Sequence, residues 1–272
     1  MGRRSVTGTT KQPARTSTER KSRKEKVNPP RLTPEEKEMK HGIRSKELNY
    51  KINFKAKNEK QQEFYDKIMK NQITFGIGEP GTGKSFVGLA AALKLLAEDN
   101  QYKKILIVVP TVEAGSMEIG YLKGGKDEKI YSYLESDYYT LTKILNLNGN
   151  NGEESITKLV ENGYIVGDCI SFMRGKTLDG YIVIFSEAEN FSKQEMFLLL
   201  SRIGDSKYIF NGDNRQMDRK DIRKSKEKNG LEYAEEKLTG IDDIDFCSFG
   251  REDIVRNPLI SKIMDKWFED GY

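Results

Sequence analysis

Apolar and polar positions divide the chain into a polar amino-terminal stretch and a longer stretch with regular apolar segments. Within residues 1–31, two valines are the only large apolar side chains after the initial methionine. A segment with so few apolar side chains cannot form a core, so we predict that it is a disordered arm. Residues 32–57 are predicted to be a linker with a short polar helix, which begins after Thr33 and ends near Gly42.

From residue 58 onward, apolar runs alternate with helical patterns. We predict helices over Glu59 to Lys70 and over Lys84 to about Leu96. Strand-type runs occupy residues 73–77, 105–109, 164–170, 181–185, 208–211 and 244–249. Most of these runs are apolar without strict alternation, which is typical of a mostly parallel sheet that is covered by helices on both faces. The pattern therefore predicts one doubly wound α/β domain over residues 58–272.

The predicted arm carries most of the positive charge. The whole chain of 272 residues has a formal net charge of +4, whereas residues 1–31 contain ten basic and two acidic residues, a net of +8. The remaining residues therefore sum to −4. A basic arm of this kind can bind the phosphates of RNA or single-stranded DNA in a salt-dependent way, although a solubilising tail without a partner has the same composition.

The rest of the composition excludes several classes of function. No apolar run is long enough to span a membrane, and no apolar signal segment follows the basic start, so we expect a cytoplasmic protein. The single histidine, His41, has no cysteine or second histidine nearby. Cys169 and Cys247 lie far apart, so neither a zinc site nor histidine acid–base chemistry is expected. Any hydrolysis would depend on carboxylates and a bound cation.

One motif carries the strongest chemical signal. It is the P-loop (Walker A) pattern G-x-x-x-x-G-K-[ST], formed here by Gly78, Glu79, Pro80, Gly81, Thr82, Gly83, Lys84 and Ser85. The motif lies between a predicted strand and a predicted helix, as it requires. Its glycines let backbone N–H groups surround phosphates, and the helix adds its positive end. We expect Lys84 to contact the β- and γ-phosphates of ATP, Ser85 to bind Mg²⁺, and Phe86 to adjoin the nucleotide.

A second candidate region follows the apolar run at 181–185. Glu187 is the candidate residue for orienting or deprotonating the attacking water. Where a metal-binding aspartate is usual, the chain has Ser186, whose hydroxyl is a weak neutral ligand. A metal site formed by Ser85 and Ser186 would lack a negative charge, so slow hydrolysis or binding without hydrolysis stays open. An acidic helix start after a strand is the alternative interpretation.

A third candidate region follows the run at 208–211. Asp213 and Gln216 lie just beyond the carboxyl end of this predicted strand. If the strand is next to the P-loop strand, either side chain could detect the γ-phosphate. The signal is weak on its own and gains weight from its place after the P-loop and Glu187.

These motifs, in this order, resemble the PhoH-like ATPases and particularly their short phage-encoded members. The resemblance covers about residues 58–268 and begins at Gln61, which is placed as in that family's nucleotide-binding glutamine. Beyond the P-loop, the matching segments are 110–115, 119–122, 172–178, 212–216 and 253–259. The family's sequence Asp-Glu-Ala-Gln-Asn is represented by Ser186 to Asn190, and its Arg-His pair by Arg256 and Asn257.

The resemblance implies a RecA-like P-loop NTPase core related to the superfamily-one helicases. It implies ATP and Mg²⁺ as ligands, and RNA or another single-stranded nucleic acid as partner. Assembly into a homo-oligomer such as a hexameric ring is also implied. An arginine of one subunit would then lie near the γ-phosphate of its neighbour, and Arg174 and Arg256 are the candidates.

The leading interpretation is a Mg²⁺-dependent ATPase that acts on or with RNA or single-stranded nucleic acid. The alternative is a nucleotide-gated binding or ring-assembly protein with little or no hydrolysis, which Ser186 favours. A small-molecule kinase shares the P-loop, but the sequence has no lid-like, arginine-rich segment paired with an acceptor site.

Overall fold

The structure is a computed structural model that describes residues 48–110, 126–170, 177–217 and 228–257, with isolated positions at 2, 259, 262, 263 and 266. The predicted arm at 1–31, the predicted helix near Thr33 and the candidate Arg174 lie outside the described residues. The division of the chain into arm, linker and domain stays a prediction.

Strands and helices alternate along the described chain. The strands are β1 (Ile73–Gly78), β2 (Lys104–Val109), β3 (Ile165–Cys169), β4 (Tyr181–Phe185), β5 (Lys207–Gly212) and β6 (Ile244–Phe249). The helices are α1 (Glu59–Lys70), α2 (Lys84–Glu98), α3 (Lys126–Leu147), α4 (Gly152–Glu161), α5 (Lys193–Leu200) and α6 (Gly230–Leu238). Short 3₁₀ turns follow at Ala188–Asn190 and Arg251–Asp253. The predicted strands and the two predicted helices are confirmed, with only their ends differing by a residue or two.

All six strands form one sheet in the order β3-β2-β4-β5-β1-β6, and every neighbouring pair is parallel. Apolar clusters cover both faces of the sheet. This arrangement confirms the predicted α/β class and agrees with a RecA-like P-loop core. Because all strands run the same way, their carboxyl ends meet at one edge, where ligands of such sheets bind. Strand β5 lies between β1 and β4 at this edge.

A row of stacked phenylalanine rings crosses four adjacent strands on one face of the sheet. Phe185 of β4 stacks on Phe210 of β5 with ring centroids 4.2 Å apart, and Phe210 stacks on Phe75 of β1 at 4.5 Å. Phe75 stacks in turn on Phe246 of β6 at 4.6 Å. Each pair is also directly opposite in the strand register. The row therefore fixes the relative positions of the strands whose ends carry the candidate site.

The opposite face of the sheet packs against α2, whose residues Ala90, Ala91 and Ala92 are buried. Three side chains that precede residue 58, namely Leu48, Tyr50 and Ile52, belong to the same core. The hydroxyl of Tyr50 donates a hydrogen bond to the Leu93 carbonyl of α2 at 3.2 Å. The packed core thus extends into the range predicted as linker, because apolar side chains at every second position place one side of this segment on the domain.

Lys207, at the start of β5, ties the sheet to the end of α1. Its buried ammonium group donates hydrogen bonds to the carbonyl oxygens of Ile68 at 2.6 Å and Asn71 at 2.5 Å. The last carbonyls of a helix lack intrahelical donors, and here the lysine provides one.

In the described part of the chain, none of the helices combines the length and the hydrophobicity that a membrane crossing requires.

Candidate nucleotide site

The P-loop connects β1 to α2 at the carboxyl edge of the sheet. Gly78 has a φ of 138° and Gly83 has a φ of 90°, values that residues with a side chain rarely adopt. A Cβ atom on Gly78 would lie 2.0 Å from the Phe249 carbonyl oxygen, and one on Gly83 would lie 2.5 Å from Nε2 of Gln61. Only glycine fits at these two positions, so the loop is held close to its neighbours. The result is the strand–loop–helix geometry that surrounds phosphates with N–H groups.

Lys84 is the first residue of α2 and is buried at the centre of this loop. Its Nζ donates hydrogen bonds to the carbonyl oxygens of Gly78 at 2.6 Å and Glu79 at 2.8 Å. Burial lowers the pKa of Lys84, and the carboxyl groups of Asp213 and Glu189 oppose that shift. The loop therefore holds one cation with acidic side chains around it.

Gln61 supports the loop from α1. Its Nε2 donates a hydrogen bond to the Thr82 carbonyl oxygen at 2.8 Å, and its Oε1 accepts one from the Lys57 backbone N–H at 2.9 Å. The Thr82 hydroxyl donates to the Glu79 carbonyl oxygen at 2.9 Å. In this arrangement Gln61 contacts the backbone of the P-loop. A contact between Gln61 and a nucleotide stays a prediction.

The remaining P-loop candidates differ in exposure. Ser85 is exposed in the first turn of α2, so its hydroxyl is accessible. Pro80 is half-buried, and Phe86 is half-buried with its ring against the core under α2. Ser85 thus has the accessibility that a metal ligand needs.

Glu187 directly follows β4 and has an unusual backbone conformation. Its φ of 53° and ψ of 46° lie in the left-handed region, which is uncommon for residues other than glycine. Residues held in such conformations cost about 1–3 kcal/mol and cluster at functional sites. The side chain is exposed, and its charge reaches Lys84. The structure thus places Glu187 at the P-loop edge, and a contact with the attacking water stays a prediction.

Glu189 is buried two residues further on. Its Oε2 accepts a hydrogen bond from the Asp213 backbone N–H at 3.0 Å, and its carboxyl group lies beside that of Glu187. Burial and the negative charge of Glu187 strongly raise the pKa of Glu189. Glu189 therefore holds a proton more tightly than an ordinary carboxyl group does. A protonated carboxyl group has one donor and one acceptor, like the amide of the glutamine in the resembled family's motif.

Asp213 lies at the end of β5, between the P-loop strand and β4. Its Oδ1 accepts a hydrogen bond from the Arg215 backbone N–H at 3.0 Å. Its Oδ2 is buried and has no hydrogen-bond partner among the residues the structure covers. Burial raises the pKa of Asp213, partly offset by the charge of Lys84. Gln216 is exposed, and its N–H donates to the Asp213 carbonyl oxygen at 2.9 Å.

A bound Mg²⁺ with its water shell fits this chemistry. Mg²⁺ keeps several waters and binds through one or two protein groups plus substrate phosphates. The unpartnered Oδ2 of Asp213 could accept a hydrogen bond from such a water. The described ranges contain no cluster of three or more His, Cys, Asp and Glu side chains that could hold a metal ion by themselves. The residues therefore fit a cation that arrives with phosphates.

Ser186, the last of the predicted metal ligands, has a partner that the sequence did not reveal. Its hydroxyl donates a hydrogen bond to Oδ2 of Asp137 on α3 at 3.0 Å, and both side chains are buried. Burial raises the pKa of Asp137 to about 6, although the Ser186 hydrogen bond opposes the shift. Helix α3 thus brings a second carboxylate beside Ser186, while the role of Ser186 as a metal ligand stays a prediction. An acidic residue inside the apolar stripe of an amphipathic helix was the available signal.

Glu79 connects the P-loop to two arginines. Its buried carboxyl group forms ion pairs with Nη1 of Arg215 and, at 3.6 Å, with Nε of Arg251. These residues line a cavity of about 410 Å³ at the carboxyl ends of β1, β5 and β6. Glu79 was predicted only as a member of the motif, and neither arginine was predicted from the sequence, although Arg215 lies inside the matching segment at 212–216.

Arg256 lies at the P-loop of its own chain. A Cβ atom on Gly81 would be 3.4 Å from Cδ of Arg256, and the Val255 backbone N–H donates to the Gly81 carbonyl oxygen at 3.1 Å. The structure therefore brings Arg256 together with the P-loop inside one subunit. Arg174, the other candidate, lies outside the part of the chain that the structure describes.

A larger cavity, of about 610 Å³, lies at the opposite edge of the sheet. Its walls come from the amino ends of the strands and include Asp179, Lys207 and Asp243. None of the candidate residues at the P-loop lines it. The larger size of this cavity is therefore no reason to prefer it as the nucleotide site. The smaller cavity adjoins the loop with the phosphate-binding geometry.

The fold and the site define a class of protein. A parallel α/β sheet, a glycine-rich loop with a terminal lysine before a helix, and acids on the neighbouring strand ends are typical of P-loop nucleotide-binding proteins. The profile of one family, described as "PhoH-like protein", matches residues 53–267. The chain belongs to this PhoH-like family.

Relatives with curated names agree with this assignment. The chain is 36% identical over 208 residues to the "PhoH-like protein" of Bacillus subtilis (strain 168), covering 76% of the chain and 61% of that relative. It is 32% identical over 214 residues to the Synechocystis "PhoH-like protein", covering 78% and 62%. It is 29% identical over 213 residues to "Protein PhoH" of Escherichia coli (strain K12), covering 77% and 56%. The chain thus spans about three fifths of the length of these relatives.

Proposed function

We propose that this chain binds ATP with Mg²⁺ at residues 78–85 and hydrolyses it, and that it does so on or with RNA or single-stranded nucleic acid in the cytoplasm. The observation that carries the hydrolase assignment is the position of Glu187. An exposed acid is held in a left-handed conformation at the end of β4, close enough to Lys84 for their charges to interact. Such an acid beside a phosphate-binding lysine is what attack by water on a γ-phosphate requires.

The binding roles follow from the geometry of the loop. The backbone N–H groups of the P-loop and the ammonium group of Lys84 bind the phosphates, with Lys84 exchanging its carbonyl partners for phosphate oxygens. The hydroxyl of Ser85 binds the cation. Mg²⁺, when bound, supplies charge neutralisation at the phosphate oxygens. Asp213 and Gln216, at the end of β5, are placed to detect whether the γ-phosphate is present.

The hydrolytic roles depend on the acids that follow β4. Glu187 orients the attacking water and accepts its proton. The protonated carboxyl group of Glu189 donates a hydrogen bond to Glu187 and so positions it. Arg256, whose aliphatic stem lies over Gly81, stabilises the negative charge that develops on the γ-phosphate. Its position supports a role within its own subunit.

Phosphate release from ATP tests the proposed hydrolysis. The parent protein should release phosphate in the presence of Mg²⁺, and Glu187→Gln should lower the rate by about 10²-fold or more, since general acid–base catalysis contributes 10²–10⁴. The variant should still bind ATP, because the P-loop contacts are intact. Glu161→Gln, an exposed change at the end of α4, is the matched control and should match the parent. Equal rates for Glu187→Gln and the parent would exclude Glu187 from the reaction.

The nucleic-acid part of the proposal rests on the basic arm at residues 1–31, with its net charge of +8. Each phosphate contact made by the arm contributes about 0.7 to the slope of log affinity against log salt for a single strand. Deleting the arm should therefore weaken RNA binding and reduce this slope by up to about 6, if all eight net charges are used. The described domain should stay folded. A slope that is unchanged after deletion would show that the arm does not contact the nucleic acid.

A second candidate function is a homo-oligomer, such as a hexameric ring, that ATP orders without frequent hydrolysis. Ser186, which stands where a metal-binding aspartate is usual, favours it. Oligomeric mass measured with and without ATP and Mg²⁺, alongside phosphate release, separates the two candidates. Nucleotide-dependent assembly with no phosphate release would favour this second function, whereas steady release by the parent would favour the ATPase.

A further inference from the structure

The end of β4 lacks the acid that usually faces the cation in a P-loop site, and a helix supplies an acid at the same place. Ser186 is the residue that immediately follows β4, and its hydroxyl lies 3.0 Å from Oδ2 of Asp137. Asp137 lies on α3 and is 49 positions away from Ser186 in the sequence. The two side chains are 9% and 7% exposed, so they meet in the interior and not on the surface.

Asp137 stands where an apolar residue would be expected on packing grounds. Its neighbours on the same face of α3 are Leu134, Leu141, Ile144 and Leu145, which are all buried in the core. Positions 134, 137, 141, 144 and 145 follow the helical spacing of one continuous stripe. A carboxylate in such a stripe opposes burial, so packing alone does not account for it.

The contacts that Asp137 makes with described residues give its charge little compensation. Within the described ranges, the hydroxyl of Ser186 is the single hydrogen-bond donor to Asp137, and no basic side chain forms an ion pair with it. The other charged group that faces it is Glu187, which is also negative. A buried carboxylate normally has a positive partner or several donors. A cation at the end of β4 would provide that missing compensation.

We propose that Asp137 supplies, from α3, the carboxylate that holds Mg²⁺ at the end of β4, in place of an acid at position 186. The proposal rests on the proposed Mg²⁺–ATP site. Asp137 acts through the water shell of the cation, since Mg²⁺ keeps several of its waters in such sites.

Ser186 has a defined part in this arrangement. A serine hydroxyl has one proton and two acceptor lone pairs. The hydroxyl donates its hydrogen bond to Asp137 and thereby fixes the orientation of the carboxylate. The lone pairs of the hydroxyl oxygen can then accept the cation or a hydrogen bond from one of its waters. Ser186 therefore positions Asp137, and the pair together provides the charge and the geometry of one aspartate. The site retains a carboxylate for the cation and keeps Glu187 for the attacking water.

Binding of Mn²⁺, a paramagnetic substitute for Mg²⁺, tests the proposal without relying on turnover. Electron paramagnetic resonance distinguishes free from bound Mn²⁺, so the affinity of the protein–ADP complex for Mn²⁺ can be measured directly. Asp137→Asn should weaken this affinity by about 10- to 100-fold, as loss of an outer metal partner does. ADP affinity in the presence of EDTA should be unchanged. Glu135→Gln, an exposed change on the same helix, is the matched control and should bind Mn²⁺ like the parent.

A variant in which the carboxylate is moved from position 137 to position 186 provides the second part of the test. The double variant with Asp137→Asn and Ser186→Asp moves the carboxylate to the strand and places an amide at position 137. We expect it to regain Mn²⁺ affinity to within about threefold of the parent, whereas a purely structural role of Asp137 would give no such recovery. Asp137→Asn should fold, because its amide oxygen can accept the Ser186 hydrogen bond and no buried charge remains. The exchanged variant should fold as well, because the amide at position 137 can donate a hydrogen bond to the carboxylate at position 186.

The outcomes separate this inference from the function on which it rests. Unchanged Mn²⁺ affinity in Asp137→Asn, or no recovery in the exchanged variant, overturns the role of Asp137 and leaves the ATP site in place. Failure of both variants to fold also overturns it, because Asp137 would then be needed for the fold itself. If the parent binds neither ADP nor Mn²⁺, the proposed function falls together with this inference.

Discussion

Replacing Glu189 by glutamine tests whether a buried carboxyl group keeps its proton beside the P-loop. The Glu189 carboxyl lies beside that of Glu187 and accepts a hydrogen bond from the Asp213 N–H at 3.0 Å. A glutamine amide has the same shape and can make both contacts without a titratable proton. Glu189→Gln therefore removes the titration and preserves the contacts.

The sign of the effect follows from the direction of the shift. The pKa of Glu189 is higher in the folded protein than in the unfolded chain, mainly because of burial. Between these two pKa values the folded state binds more protons, so the free energy of unfolding of the parent falls as pH rises. The stabilisation is complete below the unfolded pKa and is lost as pH rises toward the folded pKa. The largest slope for one group is about 1.4 kcal/mol per pH unit.

Urea unfolding at pH 6, 7 and 8, in EDTA, provides the assay. Glu189→Gln should become more stable than the parent by roughly 1–3 kcal/mol on going from pH 6 to pH 8, since the variant lacks the titrating group. Taking the difference between the two proteins cancels the contributions of Asp137 and Asp213, whose pKa values are also raised. Glu153→Gln, exposed on α4, is the control and should follow the parent. Parallel pH profiles for Glu189→Gln and the parent would show that Glu189 is ionised in the fold.

Two further predictions concern the stability of the domain. Phe210→Ala should lower the free energy of unfolding by about 3–5 kcal/mol, because it removes a buried ring stacked between two others. Phe197→Ala, at a side chain that is 75% exposed, should stay within about 0.5 kcal/mol of the parent; similar losses for both would contradict the role of the stacked row. Lys207→Met should cost about 1–3 kcal/mol, because two carbonyls at the end of α1 lose their donor. Denaturant unfolding measures this loss, and an unchanged midpoint would mean that the tie to α1 contributes nothing.

The fold was predictable from the sequence because its signals are local. Strands β1, β2, β4 and β5 are buried along most of their length, so they appear as mostly apolar runs without strict alternation. The P-loop was predictable for the same reason, since eight consecutive residues carry the whole pattern. The segment with Leu48, Tyr50 and Ile52 also carried a signal of packing, because its apolar positions alternate. Its high content of lysine and asparagine is typical of a linker, and the alternation was therefore missed.

The site was less predictable where it depends on distant residues. The contact between Asp137 and Ser186 requires the placement of α3 over the end of β4, which no local pattern determines. The sequence alone predicts that Ser186→Asp raises turnover by restoring a charge. The structure changes that prediction, because the new carboxylate would lie beside Asp137 and the two like charges would repel. The raised pKa of Glu189 also depends on burial and on the charge of Glu187, neither of which a local sequence pattern reveals.

Binding of ATP by Lys84→Ala is the most direct test of the central claim, that residues 78–85 form a nucleotide site. Calorimetric titration of the parent with ATP and Mg²⁺ should give saturable one-to-one binding. Lys84→Ala should weaken the affinity by at least about tenfold, or about 1.4 kcal/mol, because it removes the buried cation of the loop. Lys94→Ala, on the same helix, removes one positive charge as Lys84→Ala does, but Lys94 lies away from the loop. This control variant should bind ATP like the parent. Equal affinity of Lys84→Ala and the parent would contradict the account.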